Sequence, residues 1–147
     1  MIKNKVSIII PFYKNITLLK KTLSSVYKQD YTNYEIIIIN DNNTQENKSF
    51  LKKLNKNKNK IKIIYNKKNL GAGFSRNKGI KAALGQYIAF LDSDDTWKKN
   101  KLSYQLRFMK RKGYLASHTS YNLVNLSGEI ISKRKAIDLN YRELLNS

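Results

Sequence analysis

A chain of 147 residues has room for one ordinary domain with a real core, and an apolar share of 41% argues against wholesale disorder. The absence of cysteine excludes a disulfide framework and thiolate metal sites, and a single histidine, His118, excludes most histidine-based metal and catalytic schemes. The formal charge of +19 calls either for an anionic partner or for a solvated basic surface. Much of the basic excess lies in 52–68, around Leu54-Asn55-Lys56-Asn57-Lys58-Asn59-Lys60, with few aromatics and no recognition spacing. That favours a solvated face, and nucleic acid is not the expected partner. Any metal must be held by oxygen, which points to Mg²⁺ or Mn²⁺.

The pattern alternates strands with helices. Lys5–Ile10 is a β-branched run stopped by Pro11, and Ile16–Lys28 carries Leu18, Leu19, Leu23 and Val26 at helical spacing. Tyr34–Ile39 is a second strand, closed by the turn-forming Asn40-Asp41-Asn42-Asn43. A polar helix with Phe50, Leu51 and Leu54 follows, then a strand at Ile61–Tyr65 and a helix at Gly71–Leu84 ending near Gly85. Gln86–Leu91 is a fourth strand running into Asp92-Ser93-Asp94-Asp95, and Lys99–Lys112 is a helix with Leu102, Leu106 and Met109 on its core stripe. Beyond Gly113, Leu115–Leu126 and Ile130–Arg134 read as two strands around Ser127-Gly128, with a helical turn near Tyr141–Leu145.

Strands joined by helices of this length imply crossovers and an α/β fold with a mainly parallel sheet. Such sheets hold ligands beyond the carboxyl ends of their strands. Three polar clusters follow three strands, at Pro11-Phe12-Tyr13, Asn40-Asp41-Asn42 and Asp92–Asp95, so topology predicts that they share one edge. No apolar run approaches the roughly 18–20 residues of a membrane span, and there is no signal-peptide core. A cytoplasmic location is the expectation, with peripheral contact to anionic membrane allowed by the basic surface.

Asp92, Asp94 and Asp95 are three of only ten acidic residues. Two carboxylates about 4 Å apart repel by about 4 kcal/mol at an effective dielectric of 20, so the cluster is costly without a cation or a basic partner. A divalent ion there can bridge a diphosphate and stabilise a leaving group. The alternative duty is capping, with Asp95 or Thr96 at the start of a helix near Trp97, but that explains one acid of the three. Asp41 has ordinary turn chemistry as its alternative. Tyr13 can stack on a base or pack on the sheet. Arg76, after Gly71-Ala72-Gly73, stands where amides and a guanidinium can meet phosphate. His118 reads as a partly buried strand residue, and Trp97 as packing. Neither a dinucleotide fingerprint nor a Walker lysine motif is present.

Taken in order, Val6–Lys14, Tyr34–Asn42, Asn69-Leu70-Gly71 with Ser75–Ile80, and Gly85–Asp95 resemble family 2 glycosyltransferases of the GT-A fold over about residues 5–110. The resemblance implies a Rossmann-like sheet with a short β-hairpin-like C-terminal part, arranged as a donor-binding core over 1–112 and the start of an acceptor-side region over 113–147. It implies metal-dependent, inverting transfer of sugar from a nucleoside diphosphate sugar, with a UDP-sugar first in view, to a glycan or glycolipid hydroxyl. By the same resemblance Pro11 and Tyr13 line the base pocket, Asp41 bonds the base and Arg76 sits near the diphosphate. Asp92, Ser93 and Asp94 form the DxD motif, Asp94 ligates Mn²⁺ or Mg²⁺ with Asp92 beside it, and Asp95 supports the loop or faces the donor sugar. Lys14 and Asn40 stand where the family often has Asn and a second acid. The general base is expected beyond Ser147, since Glu129, Asp138 and Glu143 match no motif; the competing expectation is a donor-binding module without transferase activity.

Overall fold

A computed structural model describes residues 1–56, 60–125 and 127–137 of the chain. The helical turn expected near Tyr141–Leu145, Asp138, Glu143 and the middle of the lysine–asparagine run lie outside the described residues. By compactness the chain divides into two units, Met1–Tyr104 and Gln105–Ser147.

In the first unit the elements run β1 (Ile2–Phe12), α1 (Ile16–Tyr27), β2 (Tyr34–Asn40), α2 (Gln45–Lys56), β3 (Ile61–Tyr65), α3 (Gly71–Ala82) and β4 (Gly85–Phe90). The strands form one sheet in the order β3-β2-β1-β4, every pair parallel. Tyr34–Asn40 is buried at every position, as befits a strand covered on both faces. α3 packs on this sheet through small residues. A Cβ on Gly79 would lie 2.4 Å from Ile9 Cγ2 and 3.0 Å from Ile39 Cδ1, so glycine permits the close approach.

β1 is longer than its β-branched run at both ends. Toward the N-terminus it pairs with β4 from Ile2 opposite Gly85, a tertiary contact that local sequence does not report. Toward the C-terminus it passes through Pro11 to Phe12, because the missing N–H costs nothing there. Ile9 accepts from Leu91 N–H on the β4 side, so Pro11, two residues on, faces the same side just past the last β4 residue. Phe12 turns the other way, its carbonyl accepting from Asp41 N–H at 2.7 Å.

The α3–β4 connection is pinned by Glu35. Its Oε1 accepts from Ser7 Oγ at 2.6 Å and Leu84 N–H at 2.8 Å, and Lys5 Nζ lies 3.6 Å from Oε2. Burial alone would raise the Glu35 carboxyl, but the Ser7 hydroxyl, the Leu84 amide and Lys5 outweigh it and hold it below its ordinary value.

α4 spans Lys101–Lys112, starting two residues later than expected, and buries Leu102 and Leu106 while Met109 is half-buried. In the second unit, Tyr121–Val124 (β5) and Ile130–Arg134 (β6) form an antiparallel hairpin. The strand expected from Leu115 starts only at Tyr121. His118 precedes it, exposed and without regular structure, with Nε2 3.0 Å from the Ile137 carbonyl oxygen, so it is not the partly buried strand residue expected. Glu129 is taken up in the hairpin turn, where its Oε2 accepts from Asn125 Nδ2 at 2.7 Å.

Candidate functional site

The ends of β1, β2 and β4 deliver their polar clusters to the carboxyl edge of one parallel sheet, as Phe12 pairs with Asn40 and Ile9 with Phe90. Side chains the sequence did not single out tie the loops together. Asn47, on α2, donates from Nδ2 to the carbonyls of Tyr13 at 3.1 Å and Asn42 at 3.2 Å, joining the loops after β1 and β2. Tyr13 is 41% exposed, with Lys14 Nζ 5.0 Å from its ring centroid, so the ring is presented at the surface rather than packed on the sheet. Pro11 is half-buried beside it.

Asp41 is only 5% exposed, and its carboxylate reaches far along the chain rather than into its own turn. Oδ1 accepts from Asn66 Nδ2 at 2.7 Å and Leu70 N–H at 2.9 Å; Oδ2 accepts from Gly71 N–H at 2.8 Å. α3 has no side-chain cap of its own at Leu70, so Asp41 caps it from β2 and places a negative charge at its positive end. Gly71 enters the helix at φ +82°, a left-handed conformation that favours glycine. One amide of the Gly71-Ala72-Gly73 turn expected to be available to phosphate, that of Gly71, is thus already engaged. Asn66, buried at the end of β3, also donates from Nδ2 to Ser75 Oγ at 3.0 Å and accepts from Lys78 Nζ at 2.8 Å.

The same helix carries Arg76, five residues on, or roughly 7.5 Å along the axis. Its Nη2 donates to Asp92 Oδ1 at 2.6 Å, so α3 links the Asp41 group to the acids. This pair is substantially exposed and so worth about 1 kcal/mol or less. It orients charge more than it stabilises the fold. Asp94 makes no ion pair or side-chain hydrogen bond among the described residues. Partial burial, then the charges of Asp94 and Asp92, raise the Asp95 carboxyl above its ordinary value.

Capping does not account for the acids. α4 starts at Lys101, several residues beyond Asp95 and Thr96, and Asp95 N–H instead closes a turn onto the Asp92 carbonyl at 3.1 Å. Trp97 is half-buried, with Lys101 Nζ 3.8 Å from its ring centroid; burial pushes that lysine down to about 8.

Among the described residues no group of three or more His, Cys, Asp or Glu side chains forms a metal cage. The donor set nevertheless fits a cation that takes part of its coordination from a ligand. Asp94 is an uncommitted carboxylate, and the mutual repulsion recorded at Asp95 is what a cation would relieve. The raised Asp95 group yields a prediction in the absence of ligand. Its favourable contribution is fully present below the unfolded value of about 3.9 and is lost as pH rises through the raised folded value. Asp95→Asn is therefore expected to raise Tm by roughly 1 °C at pH 7 and to leave it unchanged near pH 3, by calorimetric melting.

A parallel sheet whose polar strand ends share one edge places the molecule among the doubly wound α/β proteins that hold ligands at the strand termini. The chain belongs to glycosyl transferase family 2, whose family model matches residues 7–145. It is 42% identical over 127 residues to an uncharacterized glycosyltransferase of Rickettsia bellii, covering 86% of this chain and 18% of that one. It is 33% identical over 145 residues to WfgD of Escherichia coli, a UDP-Glc:alpha-D-GlcNAc-diphosphoundecaprenol beta-1,3-glucosyltransferase, covering 97% of this chain and 55% of WfgD. The structure of S. aureus TarS 1–349 in complex with UDP-GlcNAc superposes with a TM-score of 0.65 at 30% identity, over 73% of this chain and 31% of that one. The fold is GT-A, as the motif order implied. The chain spans about half the length of WfgD and less than a quarter of the Rickettsia relative. No helix among the described residues is long and apolar enough to cross a membrane.

Proposed function

We propose that this chain forms the donor-binding part of a glycosyltransferase that moves sugar from a nucleoside diphosphate sugar, a UDP-sugar, to an acceptor hydroxyl. The observation that carries this is the presentation of Tyr13, Asp41, Arg76 and three acids along one strand-end edge, cross-linked through Asn47, Asn66 and α3. Family membership and the UDP-GlcNAc held by TarS support the donor class.

In this reading Pro11 and Tyr13 frame the base, and the tyrosine ring supplies a stacking face. A carboxylate offers about four acceptor directions, and three at Asp41 are used internally, which leaves one on Oδ2 for a base N–H. Arg76 meets the diphosphate, exchanging a weak pair with Asp92 for a charge-assisted one. Asp94 holds Mn²⁺ or Mg²⁺, with Asp92 beside it and Asp95 supporting the loop through its turn. Bound there, the cation would neutralise charge on the leaving diphosphate. Transfer would be a single displacement with inversion at the anomeric carbon. The acceptor named for WfgD, a diphosphoundecaprenol glycolipid, supports a glycolipid or surface-polysaccharide acceptor reached at the cytoplasmic membrane face. The basic surface would aid docking there.

Calorimetry with UDP, with and without Mn²⁺, tests the reading. Binding that requires Mn²⁺ is expected; no binding, or equal affinity without the ion, would overturn it.

A further inference from the structure

Leu91 to Asn100, the segment bearing the acids, forms neither helix nor strand, so its backbone groups need partners from elsewhere. Three come from side chains of α1 and of Gln29, just past its C-terminal cap. Thr22 Oγ1 donates to the Ser93 carbonyl at 3.0 Å, between the two aspartates of the motif. Ser25 Oγ accepts from Trp97 N–H at 3.1 Å, and itself donates to the Thr22 carbonyl at 2.7 Å. Gln29 donates to the Lys98 carbonyl at 2.8 Å and accepts from Leu102 N–H at 3.1 Å. Thr22 and Ser25 are buried in a helix whose other buried residues are Leu19, Leu23 and Val26, and Gln29 is buried just past its C-cap Lys28. For packing alone, apolar residues would serve those positions better, because a buried hydroxyl or amide is tolerated only when it is bonded.

We propose that Thr22, Ser25 and Gln29 are positioning residues for the acidic loop, and that Thr22, by holding the Ser93 carbonyl, sets the directions in which Asp92 and Asp94 present their carboxylates. The proposal rests on the donor-site reading above for its consequence, a ligand affinity, but its structural half does not need a ligand. A loop with neither ladder nor helix to fix it keeps a cation-binding geometry only through such outside bonds.

The single tryptophan of the chain, Trp97, lies in this loop and reports on it directly. Acrylamide quenching of Trp97 and calorimetry with UDP plus Mn²⁺ are measured on the intact chain and on Thr22→Val, Thr22→Ser and Ser25→Ala. Thr22→Val keeps the shape and removes the hydroxyl; Thr22→Ser keeps the hydroxyl. Greater quenching is expected in Thr22→Val and Ser25→Ala. Mn²⁺-dependent UDP affinity should fall about tenfold in Thr22→Val and recover to within about twofold in Thr22→Ser. In an Asp94→Ala background Thr22→Val should cost nothing further, which a general loss of stability would not reproduce.

Quenching unchanged in both variants, with cooperative melting retained, overturns the proposal whatever UDP does. So does increased quenching with full UDP affinity. Increased quenching in a protein whose unaltered form has no Mn²⁺-dependent UDP affinity would uphold the loop's dependence on α1 and overturn the donor-site reading instead. Should Thr22→Val fail to fold, Ser25→Ala carries the same test through the Trp97 amide.

Discussion

Asp94→Ala is expected to weaken Mn²⁺-dependent UDP binding by about 100-fold, which corresponds to about 3 kcal/mol, while leaving the melting temperature unchanged or slightly raised. The two halves of this expectation have the same structural origin. Asp92 already has a cationic partner in Arg76 at 2.6 Å, whereas Asp94 is exposed and makes no ion pair or side-chain hydrogen bond among the described residues. Removing Asp94 therefore breaks nothing in the free protein, and it relieves repulsion on Asp95. With diphosphate and cation bound, the same removal deletes an uncommitted carboxylate of the acidic loop. Asp92→Ala should cost less, about tenfold, because it also frees Arg76 for the diphosphate. Calorimetric titration beside a thermal scan separates the two effects. An Asp94→Ala protein with full affinity would remove the acids from the site.

What could be read from the chain was whatever had a local signature. Ile36–Ile39 and Ile8–Ile10 announce strands covered on both faces, and the placement of acids after an apolar strand announces a strand-end site once the sheet is parallel. What escaped was carried by contacts across long separations. The extension of β1 to Ile2 depends on pairing with Gly85, and the bond from Thr22 to the Ser93 carbonyl joins residues 71 positions apart. A threonine in an amphipathic helix carries no mark of such a partner. Asn66 is different. It follows the end of β3 as Asp41 follows β2 and Asp92 nearly follows β4, so the rule that found three strand-end clusters applied there too. Its side chain turned out to be the junction between Asp41, Ser75 and Lys78. The helix expected from Lys99, and the capping alternative that would start it near Trp97, both begin too early for a related reason. The Trp97 amide is satisfied by Ser25 on α1 and the Leu102 amide by Gln29 just beyond it, and regular structure begins only at Lys101.

Asp41 sets the contrasting case, in which a substitution is expected to fail through the fold before it can be judged on binding. Its carboxylate receives three donors, two on Oδ1 and one on Oδ2, and all come from the β3–α3 connection. Asp41→Ala would leave the half-buried Leu70 N–H and one N–H of the buried Asn66 amide without an acceptor, while Gly71 N–H keeps Asn69 Oδ1 at 3.1 Å and Asn66 Nδ2 keeps Ser75 Oγ at 3.0 Å. Each such group costs about 1–3 kcal/mol, so a loss of about 2 kcal/mol or more in urea unfolding is expected, allowing for partial rescue by water. Asp41→Asn, the usual conservative replacement, should recover little of this. An amide keeps one acceptor oxygen, but its NH₂ must then face either the Gly71 N–H or the pair formed by Asn66 Nδ2 and Leu70 N–H, a donor against donors in both orientations. Asp41→Glu preserves the charge but lengthens the reach where the distances leave no slack, at 2.7–2.9 Å. Because Gly71 opens the helix that carries Arg76, loosening this cap should also blur the Arg76–Asp92 pairing. A variant Asp41→Asn as stable as the unaltered chain would mean that the α3 entrance does not depend on the carboxylate, and Asp41 would then have only a ligand to explain its burial.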